Sequence, residues 1–163
     1  MLTVGDTFPR FALTGVVSEE MNNAFQPFTH ESDAGKWKVV FFWPKDFTVA
    51  CPAEIAAFGK LHGAFNARDA VVYGVSTDSE FVHLAWRRSH DELKDLPFAM
   101  LADVNGVLSA ALGVLDEETG LAMRATFVVD PEGLIRFAAV NDLPTGRHPK
   151  DMLCALDALQ TAA

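Results

Sequence analysis

The sequence is poor in cysteine, holding only Cys51 and Cys154, and it contains no Cys-x-x-Cys pair. Two thiols so far apart make a weak disulfide framework, and the missing second thiol beside the first argues against a disulfide oxidoreductase. The histidines, His30, His62, His83, His90 and His148, show no HxH or HxxxH spacing, so neither a metal site nor a cofactor is expected. Basic residues are scarce as well. Against 22 Asp and Glu stand 13 Lys and Arg, a formal charge of −9. A field of that sign repels polyanions and offers no basic stripe for phosphates, which excludes nucleic acid as an expected partner. Long apolar runs are missing too. The densest, Val39 to Trp43, is far short of the roughly 20 residues that cross a bilayer, so no membrane span is expected. Met1 to Arg10 has no basic stretch followed by an apolar run and a cleavage site, and a cytoplasmic location is the expectation.

What is present is a well-stocked core. With 163 residues, 50% of them hydrophobic and 21% charged, the chain suits one domain spanning residues 1–163. Lys38 to Trp43, Ala70 to Ser76, Ala125 to Asp130 and Leu134 to Val140 are short apolar runs that read as strands. Ile55, Phe58, Leu61 and Phe65 recur at helical period, as do Phe81, Leu84, Ala85 and Leu93 after Ser79. Met152, Leu153, Leu156 and Leu159 mark one face of a C-terminal helix after Pro149. Asp130-Pro131-Glu132-Gly133 predicts a hairpin turn, and Asp116 to Gly120 another turn. This alternation predicts an α/β domain with a central mixed β-sheet flanked by helices. Thr14 to Lys36 is the least regular stretch and is expected to wrap the surface.

The chemistry concentrates at Cys51. The segment from Phe41 to Glu54 leaves a buried strand, crosses a short loop and opens a helix at or near this residue, with Pro52 suited to the first turn. Free cysteines are most often small buried hydrophobes. A thiol at a helix N-terminus is different, because unpaired N–H groups and the helix dipole favour its anion; such surroundings lower a thiol pKa from about 8.5 to roughly 3.5–7.5. Thr48, three residues earlier, is placed to turn its hydroxyl toward the sulfur or simply to close a turn. Glu54, in the first helical turn, is favourable to the dipole on its own account.

Pro44, Thr48 and Cys51 match the Pro-x-x-x-Thr-x-x-Cys signature of the peroxiredoxins. The surrounding Phe-Trp-Pro-Lys-Asp-Phe-Thr and Cys-Pro-Ala-Glu resemble the branch of the alkyl hydroperoxide reductase C subunit and thiol-specific antioxidant proteins. The similarity covers most of the chain: Val4 to Pro9 resembles the family's opening, Gly74 to Ser79 its second strand and turn, and Arg124 to Pro131 its arginine-bearing strand. The resemblance implies a thioredoxin-like fold and a thiol-dependent peroxidase. Such an enzyme would reduce hydrogen peroxide and organic hydroperoxides through a Cys51 sulfenic acid. Pro44 would shield the sulfur, Arg124 would hold the thiolate and polarise the peroxide, and Glu54 would orient that arginine. Arg147 resembles a second arginine of related chains, with a surface charge as the plain alternative. His83 and Trp86 also fit the family pattern, though packing explains them equally well. Val49, Ala50 and Ala53 depart from the residues common at their positions and thin the pocket wall.

In that branch a resolving cysteine sits in a tail beyond the last helix, whereas this sequence stops at Ala163. At 100° per residue Cys154 falls opposite the stripe of Leu153, Leu156 and Leu159, so it is expected to be an outward, idle or auxiliary thiol. The expectation is a one-cysteine cycle in which an external thiol, such as a thioredoxin-like protein or a dedicated reductase, regenerates Cys51. A homodimer or ring of dimers is expected, with apolar contacts from the loops around Phe47 and Trp86. The rival reading keeps the fold as a peroxide-sensing switch or chaperone-like module.

Overall fold

Trp37 to Phe42 is buried nearly throughout because it runs through the middle of a sheet covered on both faces. The computed structural model describes residues 1–48 and 51–162. An N-terminal pair, β1 (Ala12–Val16) and β2 (Phe25–Thr29), precedes this central strand, β3 (Trp37–Phe42). Next come α1 (Cys51–Lys60), α2 (His62–Ala67), β4 (Ala70–Ser76) and α3 (Glu80–Ser89). After a short turn of 3-10 helix the chain forms β5 (Ala99–Ala102), α4 (Val107–Leu112) and the small ribbon β6 (Leu115–Asp116) and β7 (Leu121–Ala122). It finishes with β8 (Arg124–Val129), β9 (Ile135–Asn141) and α5 (Pro149–Ala162).

Seven strands lie in the order β2-β1-β5-β4-β3-β8-β9. β3 pairs parallel with β4, and β4 with β5, while β8 and β9 add antiparallel on one side and β1 and β2 on the other. Successive side chains of a strand point to opposite faces. Val39 and Phe41 therefore meet Ile55 and Phe58 of α1 and Leu156 of α5, while Val40 and Phe42 join Leu108 and Leu112 of α4. Phe41 stacks on Phe58 with ring centroids 4.1 Å apart. That contact clamps α1 to β3, and burying such a ring is worth about 1.5–3 kcal/mol. Among the described residues no helix is long and apolar enough to cross a membrane.

The expected mixed sheet with flanking helices is present, and each expected strand lies within one residue of its predicted bounds. The Asp130 hairpin forms as expected, with Asp130 Oδ1 accepting from the backbone N–H groups of Glu132 and Leu134. Ser79 caps α3 by accepting from Val82 N at 3.2 Å. Three departures stand out. Thr14 to Lys36 does not merely wrap the surface, since it contains most of β1 and all of β2, which pair as a sheet edge. Val16 and Phe28 supply its buried anchors, with too little regular alternation around them to mark strands locally. Ala-Met-Leu-Ala of β5 has little strand propensity and is ordered by pairing with β4 and β1 on either side. The single helix expected across residues 55–65 breaks at Leu61, where ψ is 5°.

Candidate active site

Cys51 is the first residue of α1, with Pro52 next and Glu54 in the first turn, so local sequence alone sets the sulfur at a helix start. The Cys51 side chain is fully buried. Arg124 opens β8, and the β3–β8 pairing, which aligns Phe41 with Thr126, brings this strand end beside the loop after β3. Its Nη1 donates to Cys51 Sγ at 3.4 Å and its Nε to Leu143 O at 2.7 Å. The contact sets a guanidinium cation directly against the sulfur.

Behind this contact lies a buried charge network. Glu54 Oε1 is 3.8 Å from Arg124 Nη1 and 2.6 Å from Arg147 Nη2. Arg147 also donates from Nε to Oε1 at 3.0 Å and from its backbone N to Oε2 at 2.7 Å. Its Nη1 reaches Ala125 O at 2.6 Å and Thr126 Oγ1 at 3.2 Å, and its guanidinium lies 5.2 Å above the Phe41 ring. Arg147 is thus no surface charge: its side chain is 5% exposed. Burial pulls its pKa below the ordinary arginine value, and the hydrogen bonds and charge of Glu54 oppose that pull. Such a network persists only because every buried charge has partners of the opposite sign or carbonyl acceptors.

The segment before Cys51 is anchored from the other side. Asp46 accepts from Trp43 Nε1 at 2.8 Å, its Oδ2 is 2.5 Å from His83 Nδ1, and its backbone N donates to Asp78 Oδ2 at 2.7 Å. His83 Nε2 faces Leu101 O at 2.9 Å, and a carbonyl only accepts, so this nitrogen carries a proton. Burial raises the Asp46 pKa, with the His83 hydrogen bond working against the rise. Thr48 Oγ1 donates back to Lys45 O at 3.3 Å, which engages its proton in the turn. Pro44 is half-buried and borders a cleft with Met123 and Leu143. Val49 and Ala50 lie outside the described residues.

Asp46 is the residue that sequence reasoning missed. It lies 37 positions from His83, and only packing of α3 against the sheet joins them. Trp86 corrects another expectation: it is buried, 2% exposed, and so offers no surface to a partner. Phe47, by contrast, is 58% exposed and tilts over Trp86 with centroids 6.1 Å apart. Cys154 is exposed on α5, whose buried side carries Met152 and Leu156.

Comparison with known proteins identifies the family. Residues 4–138 match the AhpC/TSA family. The chain is 49% identical to the alkyl hydroperoxide reductase C of Mycolicibacterium smegmatis, covering 99% of this chain and 86% of that protein. Against peroxiredoxin-2 of Bos taurus identity is 41%, covering 96% and 78%. The solved structure of Mycobacterium tuberculosis AhpC superposes with a TM-score of 0.93 at 46% identity, covering 99% of this chain and 95% of that one. With a thioredoxin-like sheet, a thiol at the start of α1 and a match over most of its length, the chain belongs to the AhpC/TSA family.

Proposed function

We propose that the chain works as one domain over residues 1–163 and is a thiol-dependent peroxidase that reduces hydrogen peroxide and organic hydroperoxides through Cys51. The observation that carries this reading is the 3.4 Å contact from Arg124 Nη1 to the buried Cys51 Sγ. The Cys51 thiolate attacks the terminal oxygen of the hydroperoxide; an S–O bond forms as the O–O bond breaks. The departing alkoxide or hydroxide takes a proton and leaves as alcohol or water, and Cys51 becomes a sulfenic acid. Arg124 donates to both sulfur and the leaving oxygen, so its hydrogen bonds strengthen as charge moves along the S–O–O line. Glu54 and Arg147 hold that guanidinium in place. Thr48 exchanges its bond to Lys45 O for one to the bound peroxide, and Pro44 keeps water from the sulfur. A thiol then attacks the sulfenic acid, releasing water and leaving a disulfide that a second thiol reduces.

The reductant is an external thiol, such as a thioredoxin-like protein or dedicated reductase, because Cys154 faces solvent on the well-packed α5. Two copies associate at least as a dimer. Dithiothreitol-dependent consumption of hydrogen peroxide by wild type, Cys51→Ser and Cys154→Ser tests the reading. Sustained turnover lost only in Cys51→Ser supports it. A wild type that is oxidised once and stops would replace it with a redox switch, and peptide mass spectra showing mostly Cys51–Cys154 disulfide would refute the idle role of Cys154.

A further inference from the structure

Helix α3 takes no part in the steps proposed above, yet it grips the loop that leads to Cys51 with two side chains one turn apart. His83 sets Nδ1 2.5 Å from Asp46 Oδ2, and Trp86 packs against the Phe47 ring with centroids 6.1 Å apart. Asp46 also accepts from Trp43 Nε1 at 2.8 Å. Its backbone N–H donates at 2.7 Å to Asp78 Oδ2, a carboxylate oxygen that itself accepts from Ser76 Oγ at the end of β4. Phe47 takes the left-handed backbone conformation, with φ at 60°, which a bulky side chain rarely adopts. Such a residue persists where its surroundings over-determine it. Here the residue before it is pinned by hydrogen bonds and its own ring by Trp86. Thr48 follows directly, its hydroxyl bonded to Lys45 O across the same turn.

Stability alone is a weak reason for so polar an anchor, because buried ion pairs are often replaceable by apolar side chains of similar volume without loss. Direction is what apolar packing does not supply. Short hydrogen bonds between groups shielded from water fix both position and angle, and the Asp46 and His83 side chains are fully shielded. His83 Nε2 donates to Leu101 O at 2.9 Å, so the ring is tied at both ends and has no nitrogen left to pass a proton to substrate. Building on the peroxidase reading, we infer that His83 is a positioning residue for the peroxide step: through Asp46 it fixes the turn from Lys45 to Thr48, and with it the place from which the Thr48 hydroxyl meets the substrate at Cys51. Trp86 completes the clamp by seating Phe47.

Substitution separates the two nitrogens of His83. An asparagine amide reaches to where Nδ1 lies and a glutamine amide to where Nε2 lies, so His83→Asn keeps a contact with Asp46 and His83→Gln keeps the one with Leu101 O. With dithiothreitol as reductant, kcat/KM for hydrogen peroxide is expected to fall about 10²-fold in His83→Gln, the scale of a displaced reacting group, and no more than about threefold in His83→Asn. Alkylation of Cys51 by iodoacetamide, followed by peptide mass spectrometry, needs the sulfur but not Thr48 and is expected not to slow in either variant. In a Thr48→Val background His83→Gln is expected to cost less than about threefold, because the group it positions is already gone. Equal losses in the two His83 variants, a peroxide loss matched by an alkylation loss, or additive losses in Thr48→Val/His83→Gln would overturn the inference and leave the pair a core contact. Should His83→Gln fail to fold, Asp46→Asn and Asp46→Leu carry the same contrast, since the amide keeps the bonds to Trp43 and His83 and the leucine keeps neither. Failure of wild type to turn over hydrogen peroxide is a separate result that removes the peroxidase reading itself.

Discussion

Replacing Glu54 with Gln leaves the shape of the site and removes the carboxylate that lies between Arg124 and Arg147. The side chains involved are 6%, 9% and 5% exposed, so water does not make good the loss. Glu54 accepts hydrogen bonds of 2.6 Å, 2.7 Å and 3.0 Å from Arg147, and an amide keeps one acceptor oxygen but turns an N–H₂ toward the other donors. Removing one partner of a buried pair costs about 3–5 kcal/mol; at about 2–4 °C per kcal/mol for a chain of this size, Tm should fall by roughly 6–20 °C. Arg124 also loses the charge that aims it, and a displaced catalytic group costs about 10²-fold in kcat/KM. Arg147→Met offers a second handle, since it substitutes an apolar stem for the buried cation. The double variant Glu54→Gln/Arg147→Met should be less damaged than the two single losses added together, with a coupling of about 1–3 kcal/mol. Thermal unfolding and dithiothreitol-coupled peroxide kinetics on the four proteins measure both quantities. Additive losses, or a Glu54→Gln protein within about 2 °C and twofold of wild type, would refute the argument that this carboxylate organises the site.

The Asp46–His83 pair should respond to charge rather than shape. Asp46→Asn keeps an acceptor for Trp43 and presents an N–H to His83 Nδ1, so it should cost less Tm than His83→Leu, which strands a buried carboxylate for about 3–5 kcal/mol. Burial raises the folded pKa of Asp46. Its contribution to stability is therefore full below the ordinary carboxylate pKa and is lost as pH rises through the raised folded value. Across that rise the Tm of Asp46→Asn relative to wild type should climb; a flat difference would contradict the burial argument. Glycine positions offer a packing test. A Cβ on Gly74 would lie 2.6 Å from the buried Trp43 ring, whereas one on Gly63 meets nothing within 4 Å. Gly74→Ala should cost about 1–3 kcal/mol of overpacking, while Gly63→Ala should gain about 0.5–1 kcal/mol in α2; equal denaturation midpoints would refute the contrast.

The legible parts of this protein are those whose physics is local. Short continuous apolar runs marked β3, β4, β8 and β9, and helical spacing marked α3 and α5, because each pattern is carried by near neighbours along one element. The placement of Cys51 was equally local, since Pro44, Thr48, Cys51 and Glu54 fall within eleven consecutive residues. β5 escaped because Ala and Met carry no strand preference of their own. β1 and β2 escaped because their burial comes from the sheet edge they join.

The sequence by itself determined the candidate nucleophile, the helix start that carries it and a formal charge of −9. It also raised Arg124 and Arg147 as candidates, but only tertiary structure decided their surroundings. Arg124 is 73 residues from Cys51 and Arg147 is 93 from Glu54, distances closed by strand register rather than by spacing. Asp46 and His83 meet through the packing of α3 against the sheet, and the cleft draws its walls from the loop after β3, the β6–β7 ribbon and the end of β9. Local patterns state which side chains an element offers to a face. Which faces meet, and hence which charges are buried together, is set by the pairing of distant strands.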